Sequence, residues 1–168
     1  MMRKRLFLAS FVVLLGTVAL STSAVFAADM FSGTWKQNIA KSAYSPGPPP
    51  KGPNTAQFQT ADNGMKVVLD GVNASGQKTH TEYTVKFDGK DYPSKSTLDG
   101  KPNPNAADLV SAKKIDDYTV EFTAKSKGAV VQQTRLVVSK DGKTQTATQT
   151  GTNAQGQPVK NVIIVEKQ

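Results

Sequence analysis

Apolar and polar residues alternate with a period of two along most of this chain, in short runs separated by glycine-bearing turns. Successive side chains of an extended strand point to opposite faces, so the pattern predicts half-buried strands rather than helices. The runs fall at 32–38, 55–60, 65–72, 78–87, 91–93, 108–114, 118–126, 129–139, 143–150 and 158–167. Tyr83, Val85 and Phe87 share one face of their run, as do Tyr118, Val120, Phe122 and Ala124 of theirs. Asp62-Asn63-Gly64, Asp88-Gly89, Lys127-Gly128 and Asp141-Gly142 stand between runs, and such pairs accept the positive φ of tight hairpins.

Consecutive hairpins without an intervening helical period predict antiparallel, up-and-down order, because a parallel crossover needs a dozen or more linking residues. A sheet of this size keeps two exposed edges unless it closes on itself. Folding over into a sandwich would leave those edges to be managed by Lys and Pro, whereas closure removes them; the favoured fold is all-β, an antiparallel up-and-down β-barrel of about eight to ten strands. The stretch 93–107, with Gly100, Pro102 and Pro104, reads as a long loop, either one whose Leu98 helps close an open barrel end or a plainly flexible connection. The Pro-rich stretch 44–53 reads as a stiff connector crossing the barrel base.

The first residues follow a different rule. Arg3, Lys4 and Arg5 precede an apolar run at 6–20 and a small-residue stretch at 21–28, the order of an export signal cleaved near Ala27. The apolar run is shorter than the roughly 20 residues a membrane-spanning helix needs. Residues 1–27 are thus expected to be a signal peptide and 28–168 a single barrel domain, periplasmic or secreted. With 0 Cys the chain has neither a disulfide framework nor an N-terminal lipidated Cys.

Charge narrows the partners. Of 21 Lys+Arg and 13 Asp+Glu, three bases and no acid lie in the first 27 residues, leaving a mild positive excess of five. Arg135 is the lone Arg beyond the leader, and the Lys residues are scattered near turns, where they blunt sheet edges. Nucleic-acid recognition wants clustered bases with interleaved aromatics, so no nucleic-acid partner is expected. The run Thr144-Gln145-Thr146-Ala147-Thr148-Gln149-Thr150 is polar on both faces, which rules against a lipid-facing barrel wall. A monomer without membrane insertion is expected.

Gly33-Thr34-Trp35-Lys36 resembles the Gly-x-Trp opening of the calycins, the lipocalins and fatty acid-binding proteins, and Val165-Glu166-Lys167 is similar to the last strand of the latter. The chain is similar as well to small exported bacterial proteins that begin with Gly-Thr-Trp-Lys. The resemblance implies a calycin-like barrel with Trp35 packed across its closed end and a small molecule held inside. It also implies differences: the Pro-rich stretch stands where fatty acid-binding proteins carry two lid helices, and Ile163 and Val165 stand at the positions of their carboxylate-binding Arg-x-Tyr. Arg135 resembles that family's other ligand-facing Arg. Arg135, Trp35, Tyr83 and Phe122 are the candidate ligand-binding residues.

Catalytic chemistry finds little support. One His and no Cys leave neither a zinc set nor a thiol nucleophile, and no nucleophile-elbow pattern accompanies His80, which shares a face with Lys78, Glu82 and Lys86. Asp116-Asp117 reads as a hairpin turn rather than a carboxylate pair. The segment from Gly71 to Gln77 recurs as Gly151 to Gln157, and both copies read as turns around Asn-Ala-x-Gly rather than as calcium loops. No cofactor, no metal and no enzyme activity are expected. The expected function is reversible binding of a small amphipathic or polar ligand, with hydroxyls or amides rather than a bare alkyl chain, in the barrel interior. The rival is a non-enzymatic envelope interaction module whose barrel is filled by its own side chains.

Overall fold

The structure, a computed structural model, describes residues 28–61, 63–153 and 156–168. The export segment 1–27 lies outside the described residues, as do Asp62, Ala154 and Gln155 of two of the turns. A four-residue helix α1 (Ala28–Phe31) leads into β1 (Gly33–Gln37), β2 (Gly52–Ala61), β3 (Gly64–Val72), β4 (Lys78–Lys86) and β5 (Tyr92–Leu98). A two-residue strand β6 (Lys101–Pro102) follows, then β7 (Leu109–Asp116), β8 (Thr119–Ser126), β9 (Ala129–Val138), β10 (Thr144–Thr152) and β11 (Pro158–Lys167).

Consecutive strands pair antiparallel, except that β5 passes over β6 to pair with β7, and β1 pairs with β11, so the sheet closes into a ring. Leaving aside the hairpin appendage β6, ten strands make up that ring among the described residues. The architecture is the all-β, antiparallel up-and-down barrel that the alternation predicts.

Burial follows the pleat. On β4, Tyr83 and Val85 face in while Lys78, Glu82 and Lys86 face out; on β8, Val120 and Phe122 are buried and Ala124 packs against the core. Tyr118, placed with them by the sequence pattern, stands in the preceding turn and is exposed. Trp35, Phe31, Met65, Val67, Val85 and Val120 are fully buried, at the end of the barrel where β1 begins. Burying each such side chain stabilises the fold by about 1.5–3 kcal/mol. The indole Nε1 of Trp35 donates to the Phe31 carbonyl at 2.8 Å, so the otherwise unmet ring donor is satisfied by the short helix that plugs this end.

Two expectations need correction. The stretch 93–107 is not a loop: Tyr92–Leu98 is a strand, paired with β4 through Thr79↔Leu98 to Tyr83↔Ser94, and it turns back at Asp99-Gly100 into β6. Asp99 and Gly100 have φ of 49° and 77°, the geometry of a type I′ hairpin. Ser94 and Ser96 occupy its inward positions, which hides the strand from any reading based on apolar alternation.

The Pro-rich stretch does not cross the base either. β1 starts at the plugged end and stops at Gln37, so the chain must climb to the opposite rim before β2 can descend. It climbs along the edge of β11 that β1 pairs lower down, with the Asn38, Ala43 and Lys160 amides donating to Ile164, Val162 and Ser45 carbonyls, and the Lys51 amide reaches the Asn73 carbonyl at the rim.

Candidate functional site

Above the Trp35 plug the barrel is hollow. A cavity of ≈ 550 Å³ lies between the inward faces, within the range of small-molecule sites. Its wall mixes apolar and polar side chains. Phe58, Tyr83, Phe122, Leu136, Ala147 and Ile163 supply apolar surface. Thr79, Thr81, Ser94, Ser96 and Thr134 supply hydroxyls, and Gln37, Gln132, Gln145 and Gln149 supply amides. Asn105 and Ala106, in the connection after β6, stand at the rim of the cavity.

The strands make this mixture by simple alternation. β10 sends Gln145, Ala147 and Gln149 inward and Thr146, Thr148 and Thr150 outward, so a strand polar on both faces becomes an amide-rich wall. β4 and β5 oppose Thr81 and Ser96, whose hydroxyls are hydrogen-bonded at 2.5 Å. Tyr83 and Phe122 meet edge to face with centroids 6.2 Å apart and ring planes inclined by 67°. Burial raises the Tyr83 phenol well above its ordinary range, so the ring stays neutral.

Gln37 and Gln145 flank Val165 in one cross-strand row, Gln37↔Val165↔Gln145. Both ends of the Gln37 amide are engaged: its Nε2 donates to the Tyr44 hydroxyl of the climbing segment, and its Oε1 accepts from the Asn54 amide at 3.1 Å. Burial raises the Tyr44 phenol above its ordinary value, opposed by its hydrogen bonds to Ser42 and Gln37. Gln145 is 1% exposed, and among the described residues neither its Nε2 nor its Oε1 has a hydrogen-bond partner.

Of the four sequence candidates, Tyr83 and Phe122 line the cavity. Trp35 lies below it, 0% exposed and committed to the plug. Arg135 faces out. Its Nη1 donates to Glu121 Oε1 at 2.6 Å on the outer surface, where both side chains are about half exposed, and it takes no part in the cavity wall. The run containing it resists a facial reading because Ala124 pairs with Gln132 and Lys125 with Val130, leaving Val131 as the extra residue of a bulge. Past the bulge the alternation resumes with Thr134 and Leu136 inward, which fixes Arg135 on the outside.

The residues that sequence reasoning did not single out are the inward Thr, Ser and Gln side chains. The signal available for them was the polar alternation of 143–150 and the Asp99-Gly100 pair, which marks 92–98 as half of a hairpin.

Outside the barrel, His80 Nδ1 and Asp70 Oδ1 are 2.7 Å apart in a row that runs Thr55↔Asp70↔His80↔Thr97. Both side chains are over 40% exposed. Among the described residues no group of three or more His, Asp and Glu side chains is placed to hold a metal ion.

No protein-family profile and no curated protein matches the chain. A solved structure that is similar to it is zebrafish ileal bile acid-binding protein complexed with cholic acid, with 11% sequence identity, a TM-score of 0.47, and coverage of 83% of this chain and 99% of that chain. The fold assignment rests on the strand pairing itself, which closes an antiparallel ring of ten strands around a cavity. Among the described residues no helix is long and apolar enough to cross a membrane.

Proposed function

We propose that the protein is an exported, non-catalytic binding protein that holds a small polar or amphipathic molecule reversibly inside its barrel. The observation that carries this reading is the cavity of ≈ 550 Å³ lined by aromatic rings interleaved with hydroxyls and amides. A barrel serving only as a surface module gains nothing from hollowness. Unfilled interior forfeits dispersion contacts, and polar groups turned inward forfeit hydration. The interior polar groups are instead arranged as a site arranges them, few in kind and convergent on one space.

Export is supported by the order of charge, apolar run and small residues in 1–27. Among the described residues no nucleophile and base pair lines the cavity, and the wall is suited to holding a molecule rather than transforming it.

Native mass spectrometry of the full-length gene product, expressed in a Gram-negative host and purified from the periplasm, tests the reading. The expected result is a chain cleaved near Ala27 carrying a small-molecule adduct that denaturation removes. A bare protein that also fails to take up any compound from a periplasmic extract contradicts it.

A further inference from the structure

Resting on the binding function proposed above, we infer that the small molecule enters the barrel through its side, between β2 and the climbing segment that follows β1, and that the hydrogen bond between Gln37 and Tyr44 is the latch of that entrance. The wall is thin there because β1 is short. It joins β2 only from Gly33↔Phe58 to Lys36↔Thr55, and β11 only from Trp35↔Lys167 to Gln37↔Val165. Higher up, Gly52, Pro53 and Asn54 of β2 have no strand on that side.

The climbing segment fills the place but is fastened along one edge. Toward β11, Ala43 and Val162 exchange two backbone hydrogen bonds, and the Lys160 amide donates to the Ser45 carbonyl. Toward β2, among the described residues, no backbone hydrogen bond joins residues 43–50 to residues 52–54. Pro53 has no N–H to offer, and the Asn54 amide is taken by Gln37 Oε1. One side chain therefore spans the slot, Gln37, which holds Asn54 through its Oε1 and the Tyr44 hydroxyl through its Nε2. Residues 45–49 are exposed, so burial does not hold the segment down. Gln37, Asn54 and Thr55 all line the cavity, so the slot leads into it.

A second thin place lies above Pro93↔Leu109, where β5 and β7 part and Asn105 and Ala106 stand over the gap. There backbone hydrogen bonds hold both flanks of the covering segment, from the Asn103 amide to the Ser96 carbonyl and from the Asp108 amide to the Lys125 carbonyl. Opening beside the climbing segment breaks one hydrogen bond between two side chains, which is the smaller local opening.

A thiol placed in the cavity reads this opening without any ligand, because the chain has 0 Cys. Ala147 lines the cavity, and N-ethylmaleimide, small and uncharged, is the probe. The thiol of folded Ala147→Cys is expected to label far more slowly than that of the urea-unfolded protein. Tyr44→Phe on that background is expected to raise the rate at least about fivefold, the factor that one neutral hydrogen bond is worth. Val67→Cys, buried in the plug, reports opening of the whole barrel, and Tyr44→Phe should leave its rate unaltered. Gln149→Cys, the next inward position of β10, takes the place of Ala147→Cys should that variant fail to fold.

An unchanged rate in Tyr44→Phe, equal acceleration of the Val67→Cys thiol, or labelling of folded Ala147→Cys as fast as of unfolded protein overturns the inference. So does acceleration by Asn103→Pro, which removes the amide bonded to Ser96, without acceleration by Tyr44→Phe; entry then lies between β5 and β7. Because no ligand takes part, these outcomes are separate from the binding function, which falls on its own if the protein purified from the periplasm is bare and takes nothing up.

Discussion

Trp35 pairs with Lys167 across the seam where β1 meets β11, and the Lys167 ammonium sits 5.2 Å from the centre of the indole ring. The first strand and the last thus share one cross-strand pair, and the ring of strands is closed by residues from the two ends of the barrel domain. Trp35 contributes volume and a satisfied donor to the plug, whereas Lys167 contributes an exposed cation above it.

These unequal roles give the first prediction. Trp35→Ala should destabilise the protein by about 3–5 kcal/mol, as removal of a buried Trp does, and Lys167→Ala by no more than about 1 kcal/mol. Urea unfolding followed by circular dichroism measures both. Comparable losses for the two variants would show that the plug is not built on the indole.

Arg135→Ala should leave the affinity for any cavity ligand unchanged and alter stability by less than about 1 kcal/mol, because an exposed ion pair is screened and loses side-chain entropy on forming. Binding titration and urea unfolding of the same variant check the two halves. A severalfold loss of affinity would place the guanidinium in the site after all.

The repeated heptapeptide makes a backbone prediction. Gly71 and Gly151 hold equivalent places in its two copies, and each stands opposite a strand irregularity. An added Cβ at Gly151 would come to 2.2 Å from the Val131 carbonyl oxygen, a backbone atom at the bulge; at Gly71 it would meet the Asn54 side chain. Gly151→Ala should therefore cost about 1–3 kcal/mol, as overpacking does. It should also weaken ligand binding by moving Val131 and Gln132 in the cavity wall. Thermal unfolding and titration of the variant read out both effects.

Acid should loosen the plugged end first. Turn and backbone hydrogen bonds hold three carboxylates below the ordinary range, chiefly from the Lys90 amide to Asp88, the Tyr118 amide to Asp116 and the Ser139 hydroxyl to Asp141. At the seam, Glu166 is lowered by the Lys41 ammonium and the Asn38 amide. A depressed pKa in the folded state contributes stability that is present above the unfolded value and lost as pH falls through the folded one. The melting temperature should hold from neutrality down to about pH 4 and fall below it. Asp141→Asn should flatten part of that fall. A melting temperature that rises as pH drops below 4 would contradict the assignment.

Most strands were legible because their inward faces are apolar and their turns carry Gly with positive φ. Lys127-Gly128 and Asp141-Gly142 punctuate the chain where the sequence says they should, with φ of 83° at Gly128 and 68° at Gly142. Asn73 and Gln77 exchange the same hydrogen bonds as Asn153 and Gln157, which supports reading both copies of the repeat as turns.

β5 escaped because Ser94 and Ser96 line a cavity rather than a core, and hydrophobic periodicity cannot register a strand that faces polar space. The face of Arg135 escaped because one bulged residue, Val131, shifts the count of alternation. The polar wall of β10 was visible in its composition. The unpaired state of Gln145 was not, since it depends on what the neighbouring strands place within reach of one amide.

Occupation of the barrel interior is tested most directly by filling it. Ala147 lines the cavity between Gln145 and Gln149, so the indole of Ala147→Trp has space to enter without disturbing the plug. Wild type and Ala147→Trp, expressed and purified alike, should give the same circular dichroism, and native mass spectra should show the small-molecule adduct on the wild type alone. An adduct retained in equal proportion by the folded Ala147→Trp protein would place the bound molecule outside the barrel and contradict the account.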